Sequence, residues 1–317
     1  MGSQENKNVS QKKKTLITGA SGFVGQNLLP YLSTKGMSTI GFSRNETTNK
    51  TITYNALNYT IWNNAFAMVH LAGKAHDFKK TSEDKDYYEA NTELTKALFD
   101  QFLQSGCEVF IFMSSVKAVA DELTSVLTED VMPKPITAYG KSKLAAENFI
   151  LSKEIPSNKR VYILRPCMIH GPKNKGNLNL LYSFISKGIP YPFGKYNNRR
   201  SFVSVENLCF IINELINNDK IESGIYNIAD DIPLSTINLI QVISEVSGKP
   251  SRILKFPKFF VKFIAKVGDF LPLPINSERL LKLTENYEVS NLKIKNAIQK
   301  KMPMSSIEGI KKTVTSF

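Results

Sequence analysis

Short apolar, β-branched runs alternate along the chain with longer stretches of helical period. "KTLIT" at 14–18 is apolar enough for a buried parallel strand, and "GQNLLPYLSTKG" at 25–36 sets Leu28, Leu29 and Leu32 on one helical face that closes at Gly36. The pattern repeats through the strands "MSTIGFSRN", "AMVHLAG", "EVFIFMSS" and "RVYILRP", with helices at "YEANTELTKALFDQFLQSG" and "AYGKSKLAAENFI". This βαβα order predicts an α/β fold, a doubly wound (Rossmann) parallel sheet over residues 12–170. Residues 171–317 are expected to form a smaller, more irregular part, in which about 200–229, a strand, helix and strand, returns to the main sheet or its margin.

Composition narrows the function classes. A chain of 317 residues with 42% hydrophobic residues can bury a sizeable core. Residues 1–11 read as a flexible polar lead-in without the apolar core of a signal peptide, so a cytoplasmic protein is expected. Cys107, Cys167 and Cys209 are far apart, with no CxxC spacing and no histidine cluster, so neither disulfides nor a metal site is expected. The net charge of +13 would suit nucleic acid, but the lysines are dispersed and no recognition signature accompanies them, so no nucleic-acid partner is expected. "FPKFFVKFIAKVGDFLPLP" at 256–274 is too charged to span a bilayer. Its lysines recur every four residues; the segment reads first as packing on the protein's own core, and otherwise as contact with a membrane surface.

Candidate chemistry begins at "TGASGFVG". Between a strand and a helix, Gly19 allows a tight turn, Gly22 lets backbone approach a pyrophosphate and Gly25 packs the helix closely. The helix start, with Phe23 and Val24, offers unpaired N–H groups and partial positive charge to phosphate. About 20 residues further on, where an acid would hold the ribose of NAD, stands Arg44, which suits the 2′-phosphate of NADP. NAD or NADP is therefore expected, with Arg44 leaning to NADP. "HLAG", "MSS" and "RPCMIHGP" fall at the carboxyl ends of strands, where such sheets bind ligands, placing Leu71, Ala72, Gly73 and Ser114 beside the cofactor. Tyr139 and Lys143 are four apart and share a helical face, so the ammonium can favour the phenolate, and Ser115 at a strand end can bond the same substrate oxygen. His70 reads as a satisfied core residue, and His170 is flanked by a turn.

These segments, with Asn91 in "YEANTELTKAL" and "YGKSK", resemble in order and spacing the extended short-chain dehydrogenase/reductases of the NAD-dependent epimerase/dehydratase family, which act on nucleotide sugars. The resemblance implies Tyr139 as acid–base residue, Lys143 as holder of the nicotinamide ribose, and Ser115 as orienter of the sugar oxygen. It implies that Asn91 orders the cofactor site and that Pro166 lies beside the nicotinamide. Lys74 and His76 are placed near the sugar, and Asn177 and Arg200 on the diphosphate of a UDP-sugar. Dehydratases of this family carry an Asp-Glu pair after the catalytic hydroxyl; here Val116 and Lys117 stand there, which argues against a dehydratase.

"SSVKA" and "PFGKYNNRRSFVSVENL" look most like reductases of UDP-4-keto-6-deoxy-N-acetylhexosamines, which serve surface polysaccharide synthesis. The alternative is a UDP-hexose or UDP-N-acetylhexosamine 4-epimerase. Two further readings are an epimerase of polyprenyl-diphosphate sugars at the membrane surface and a non-catalytic nucleotide-binding protein. The resemblance also implies a homodimer paired through the helices bearing Asn91 and Tyr139.

Overall fold

The computed structural model describes residues 14–44, 51–54, 57–75, 83–174, 177–271 and 276–317. The strands are β1 (Lys14–Thr18), β2 (Ser38–Ser43), β3 (Thr51–Thr53), β4 (Ala67–His70), β5 (Val109–Met113), β6 (Arg160–Pro166), β7 (Met168–His170), β8 (Phe202–Ser204) and β9 (Gly224–Ile228). The helices of the first half are α1 (Phe23–Thr34), α2 (Tyr59–Asn63), α3 (Asp84–Tyr88), α4 (Leu94–Gln104) and α5 (Ala138–Leu151). Those of the second half are α6 (Asn177–Ser186), α7 (Val205–Asn217), α8 (Thr236–Ser247), α9 (Lys258–Val267), α10 (Ser277–Thr284), α11 (Leu292–Ile298) and α12 (Ser306–Thr315).

Seven strands form one parallel sheet in the order β3-β2-β1-β4-β5-β6-β9. The order reverses between β1 and β4, so the loops leaving these two strands diverge and open a crevice at their carboxyl ends. Alternation of side chains across each strand builds two cores. Ile17, Val69 and Ile111 face one side with Leu28, Leu32 and Ile211, while Leu16, Met68, Phe110 and Phe112 face the other with Phe99, Ala146 and Ile150. Helices therefore cover both faces, as the continuous apolar strands of the sequence require.

Within residues 200–229, β9 joins the main sheet at its edge beside β6, whereas β8 pairs with β7 in a separate two-stranded sheet. A third apolar cluster gathers Leu178, Ile240, Ile243, Val261, Ala265, Ile310 and Val314 from α6, α8, α9 and α12, with Tyr191 and Phe193 from the segment after α6. This unit stands beside the carboxyl ends of the main strands and walls the crevice. In α9 only Val261 and Ala265 are buried, while Phe259 and Phe263 remain 76% and 63% exposed. The expected packing of this segment on the protein's own core thus holds for one edge of the helix; its aromatic arc points outward.

Candidate active site

The turn after β1 carries the first part of the site. Gly19 has φ +67°, and a Cβ there would stand 2.8 Å from the Ala72 nitrogen, so both backbone conformation and the nearby β4 loop demand glycine. A Cβ at Gly25 would stand 2.5 Å from the Gly19 carbonyl oxygen, which is why α1 can start so close against its own turn. Among the described residues, the Gly19 oxygen at 3.2 Å is the one atom near a Cβ built at Gly22, and no side chain caps the helix that begins at Phe23. The first amides of α1 are thereby left to an anion, with the positive end of the helix dipole behind them. The Gly19 amide donates to the Tyr54 hydroxyl at 3.1 Å, fixing the outer side of this turn. Arg44 is exposed just past β2, close enough to Tyr54 for its charge to act on the phenol.

The loop after β4 is pinned from below. Fully buried Asn91 accepts from the Lys74 amide at 2.8 Å and donates to the Lys74 carbonyl at 3.0 Å and to Ser142 Oγ at 2.9 Å. It sits in a π-helical turn, Glu89–Glu93, whose wider winding suits an inserted functional residue. Asn91 thus ties the loop carrying Leu71, Ala72, Gly73 and Lys74 to α5. Under the same loop, His70 shares hydrogen bonds with Thr18 Oγ1 at 2.7 Å and Thr95 Oγ1 at 2.9 Å. Burial pushes its pKa down to about 3, so it is a neutral core residue, as its apolar strand suggested. His170 is also buried, with Nδ1 2.9 Å from Thr313 Oγ1.

Tyr139 and Lys143 rise from one face of α5. Thr137 caps this helix by accepting from the Gly140 amide at 3.2 Å, and the Asp121 carboxylate receives the Ile136 amide at 2.8 Å. A Cβ at Gly140 would run into the Lys117 carbonyl, so this glycine lets the helix press against the turn that bears Ser115. The Ser115 hydroxyl lies close enough to the Tyr139 phenol to act on it. Burial raises the Tyr139 pKa, and Ser115 opposes that rise. Lys143 Nζ donates to the Met113 carbonyl at 2.8 Å and lies 4.9 Å from the Phe112 ring centre. Its own burial lowers its pKa to about 8, against the pull of Glu147.

Glu147, one turn beyond Lys143, was not singled out by the sequence reading. It forms a fully buried pair with Arg165, whose Nη2 lies 2.6 Å and Nε 3.0 Å from its oxygens, and it receives the Ser114 hydroxyl. Ser114 thus borders the cleft while its hydroxyl is committed below the sheet end. The four-residue spacing that links Tyr139 to Lys143 continues to Glu147, and that was the available signal.

These parts border one cleft of about 480 Å³, within the range of small-molecule sites. Its lining includes Phe23, Val24, Leu71, Gly73, Lys74, Ser114, Ser115, Tyr139, Lys143, Pro166 and Arg200. Gly19, Gly22, Gly25, Ala72, Asn91 and Arg44, which follows β2, are not among its lining residues. Arg200 reaches the cleft from the far wall, paired with Glu285 at 3.2 Å. Lys117, the second residue after Ser115, also lines the cleft; its Nζ donates to the Asp121 carbonyl at 2.7 Å and lies 4.3 Å from the Tyr287 ring centre. Lys74 is paired with Asp86 at 2.8 Å. Asn177 opens α6, but its side chain, like all of His76, lies outside the described residues.

Residues 15–229 match the NAD dependent epimerase/dehydratase family, and the chain belongs to it. A UDP-glucose 4-epimerase of Vibrio cholerae is 32% identical over 96% of this chain and 95% of its own length. The fold is that of MoeE5 solved with UDP-glucose and NAD, with a TM-score of 0.74 at 19% identity over 95% of this chain and 97% of that one. It is also that of RMD from Pseudomonas aeruginosa with NADPH, with a TM-score of 0.69 at 19% identity over 96% and 98% of the two chains. The chain is accordingly a nicotinamide-dependent nucleotide-sugar epimerase or oxidoreductase.

Proposed function

We propose that this family member acts at C4 of a UDP-sugar, and that its net reaction reduces the 4-keto group of a UDP-4-keto-6-deoxy-N-acetylhexosamine. The observation that carries the reading is the meeting of Ser115, Tyr139 and Lys143 on one side of a cleft that Arg200 closes from the other. A small alcohol would give Arg200 nothing anionic to hold, whereas a nucleotide diphosphate brings charge that a guanidinium matches.

The chain fits a nicotinamide dinucleotide on its own geometry. The open side of Gly22 and the uncapped start of α1 leave backbone donors for a pyrophosphate. When bound, the cofactor supplies the hydride that a 4-keto carbon accepts. Tyr139 holds the proton taken up by the C4 oxygen, and its raised pKa keeps that proton in place at neutral pH, which is the state a reduction requires. Ser115 orients the same oxygen. Lys143 would hold the cofactor ribose by exchanging its bond to the Met113 carbonyl. Arg200 anchors the diphosphate, with Glu285 keeping the guanidinium extended into the cleft before substrate arrives.

Arg44, exposed where NAD-specific sheets place an acid, supports NADPH as the reductant. The Vibrio relative favours a second reading, a UDP-hexose or UDP-N-acetylhexosamine 4-epimerase using the same residues with retained NAD. Mixing the protein with a UDP-4-keto-6-deoxy-N-acetylhexosamine and NADPH decides between them. Oxidation of one cofactor per sugar is expected; conversion of a 4-hydroxy UDP-sugar without net oxidation would establish the epimerase instead. A homodimer paired through the helices bearing Asn91 and Tyr139 is part of the same reading, and its test is the mass in solution.

A further inference from the structure

Among the described residues, the outward face of α9 and the turn after it carry several exposed phenylalanines that the catalytic reading leaves unused. Phe259, Phe263 and Phe270 are 76%, 63% and 90% exposed, with Leu271 at 54% beside them. The helix is not loosely attached, because Val261 and Ala265 on its opposite edge are buried in the cluster that contains Leu178, a residue lining the cleft. Lys258, Lys262 and Lys266 follow one another at four-residue spacing along one flank, all exposed. No acidic residue lies within α9. Asp269, which follows it, is held by the Ser277 amide at 2.8 Å and hydroxyl at 2.6 Å, and Glu278 stands in the first turn of the neighbouring α10.

We propose that this face docks on a membrane surface bearing anionic phospholipid, with the phenylalanines at the headgroup–acyl boundary and the lysine row on the lipid phosphates. An aromatic arc flanked by lysines is the pattern of a helix lying in an interface, and its stems and ammonium groups can reach different depths. Charge complementarity selects this occupant: a row of three ammoniums meets a field of phosphates without needing a matched row of carboxylates, and the whole chain carries a net charge of +13. Among the described residues no helix is long and apolar enough to cross a membrane, so the association is peripheral. The inference stands independently of which C4 reaction the cleft performs.

Co-sedimentation with phosphatidylcholine vesicles, with and without phosphatidylglycerol, tests the proposal on the full chain. Binding is expected only with phosphatidylglycerol, and high salt should weaken it. Lys258→Gln/Lys262→Gln/Lys266→Gln should weaken binding by about 100-fold, from roughly fivefold per lysine near an anionic surface. Phe259→Ser/Phe263→Ser should release the protein as well, and both variants should unfold at the temperature of the wild type. Three results would overturn the proposal: no sedimentation with either vesicle, binding unaffected by both variants, or a wild-type dimer in solution that Phe259→Ser/Phe263→Ser dissociates. The last would give the face to a second copy of the chain.

Discussion

The two walls of the cleft handle charge in opposite ways. Below the strand ends, polar side chains are buried and bonded to each other: Thr18, His70 and Thr95 form one chain, and Ser114, Glu147 and Arg165 form another. The Arg165 and Glu147 side chains are 2% and 0% exposed. On the opposite wall, Arg200 and its partner Glu285 keep 23% and 17% exposure, and the adjoining pair Arg199 and Glu288 keeps 54% and 24%. The groups below the strand ends are withdrawn from water and bonded to each other, with Arg165 Nη1 left without a hydrogen-bond partner among the described residues, and low dielectric makes an unpaired charge costly there. The pairs of the opposite wall keep partners they can loosen at small cost.

The largest effect is expected from the buried side. Glu147→Gln removes the charge beneath Lys143 and strands Arg165 without water, which should cost about 3–5 kcal/mol of stability in a denaturant titration. A loss below about 1 kcal/mol would mean that water reaches this pair and would erase the contrast between the walls. Tyr139→Phe comes next. It keeps the ring and removes the transferable proton, so turnover should fall at least about 100-fold, or roughly 2.7 kcal/mol, with cofactor affinity little changed. Near-normal turnover would take Tyr139 out of its role.

The exchangeable wall should answer in binding and leave folding nearly untouched. UDP alone should bind, and Arg200→Ala should raise its dissociation constant about tenfold, close to 1.4 kcal/mol, with an unchanged unfolding midpoint. Calorimetry showing equal UDP affinity in the two proteins would reassign Arg200 to a purely structural pair with Glu285.

The smallest effect sharpens the comparison through pH. His70 has a folded-state pKa near 3 against an ordinary value of 6.5, so the unfolded chain binds more protons between those values. Its contribution to stability is present above pH 6.5 and is lost as pH falls toward 3. Between about pH 6.5 and 5.5 the wild type should lose about 1 kcal/mol more than His70→Gln, and parallel curves would show that His70 titrates normally.

Sequence reading reached the parts of this molecule whose partners are close along the chain. The glycine turn, the pairing of Tyr139 with Lys143 and the buried character of His70 each follow from spacing within one strand or one helix. The bond network that seats Asn91 between Lys74 and Ser142, and the meeting of Arg200 with Glu285, join segments 17 to 85 residues apart. No periodicity reports such a pairing, because it is set by where the sheet and the wall bring two surfaces together. For α9 the difficulty was different. Its period identified an amphipathic helix, but a helix of this composition has apolar residues enough for two faces, and only the packed structure shows Val261 and Ala265 taking the inner one.

The single face of α5 also bears on how this enzyme can change over generations. Tyr139, Lys143 and Glu147 occupy three successive turns, and Gly140 presses the same helix against the Ser115 turn. Adding or deleting one residue between Tyr139 and Glu147 would rotate everything beyond it by about 100° and break the alignment of all three at once. Between these positions, inheritance can accept exchanges of one side chain for another but not changes of length. Change of length is therefore channelled into the opposite wall, where segments can lengthen without turning the face that carries Tyr139 and Lys143.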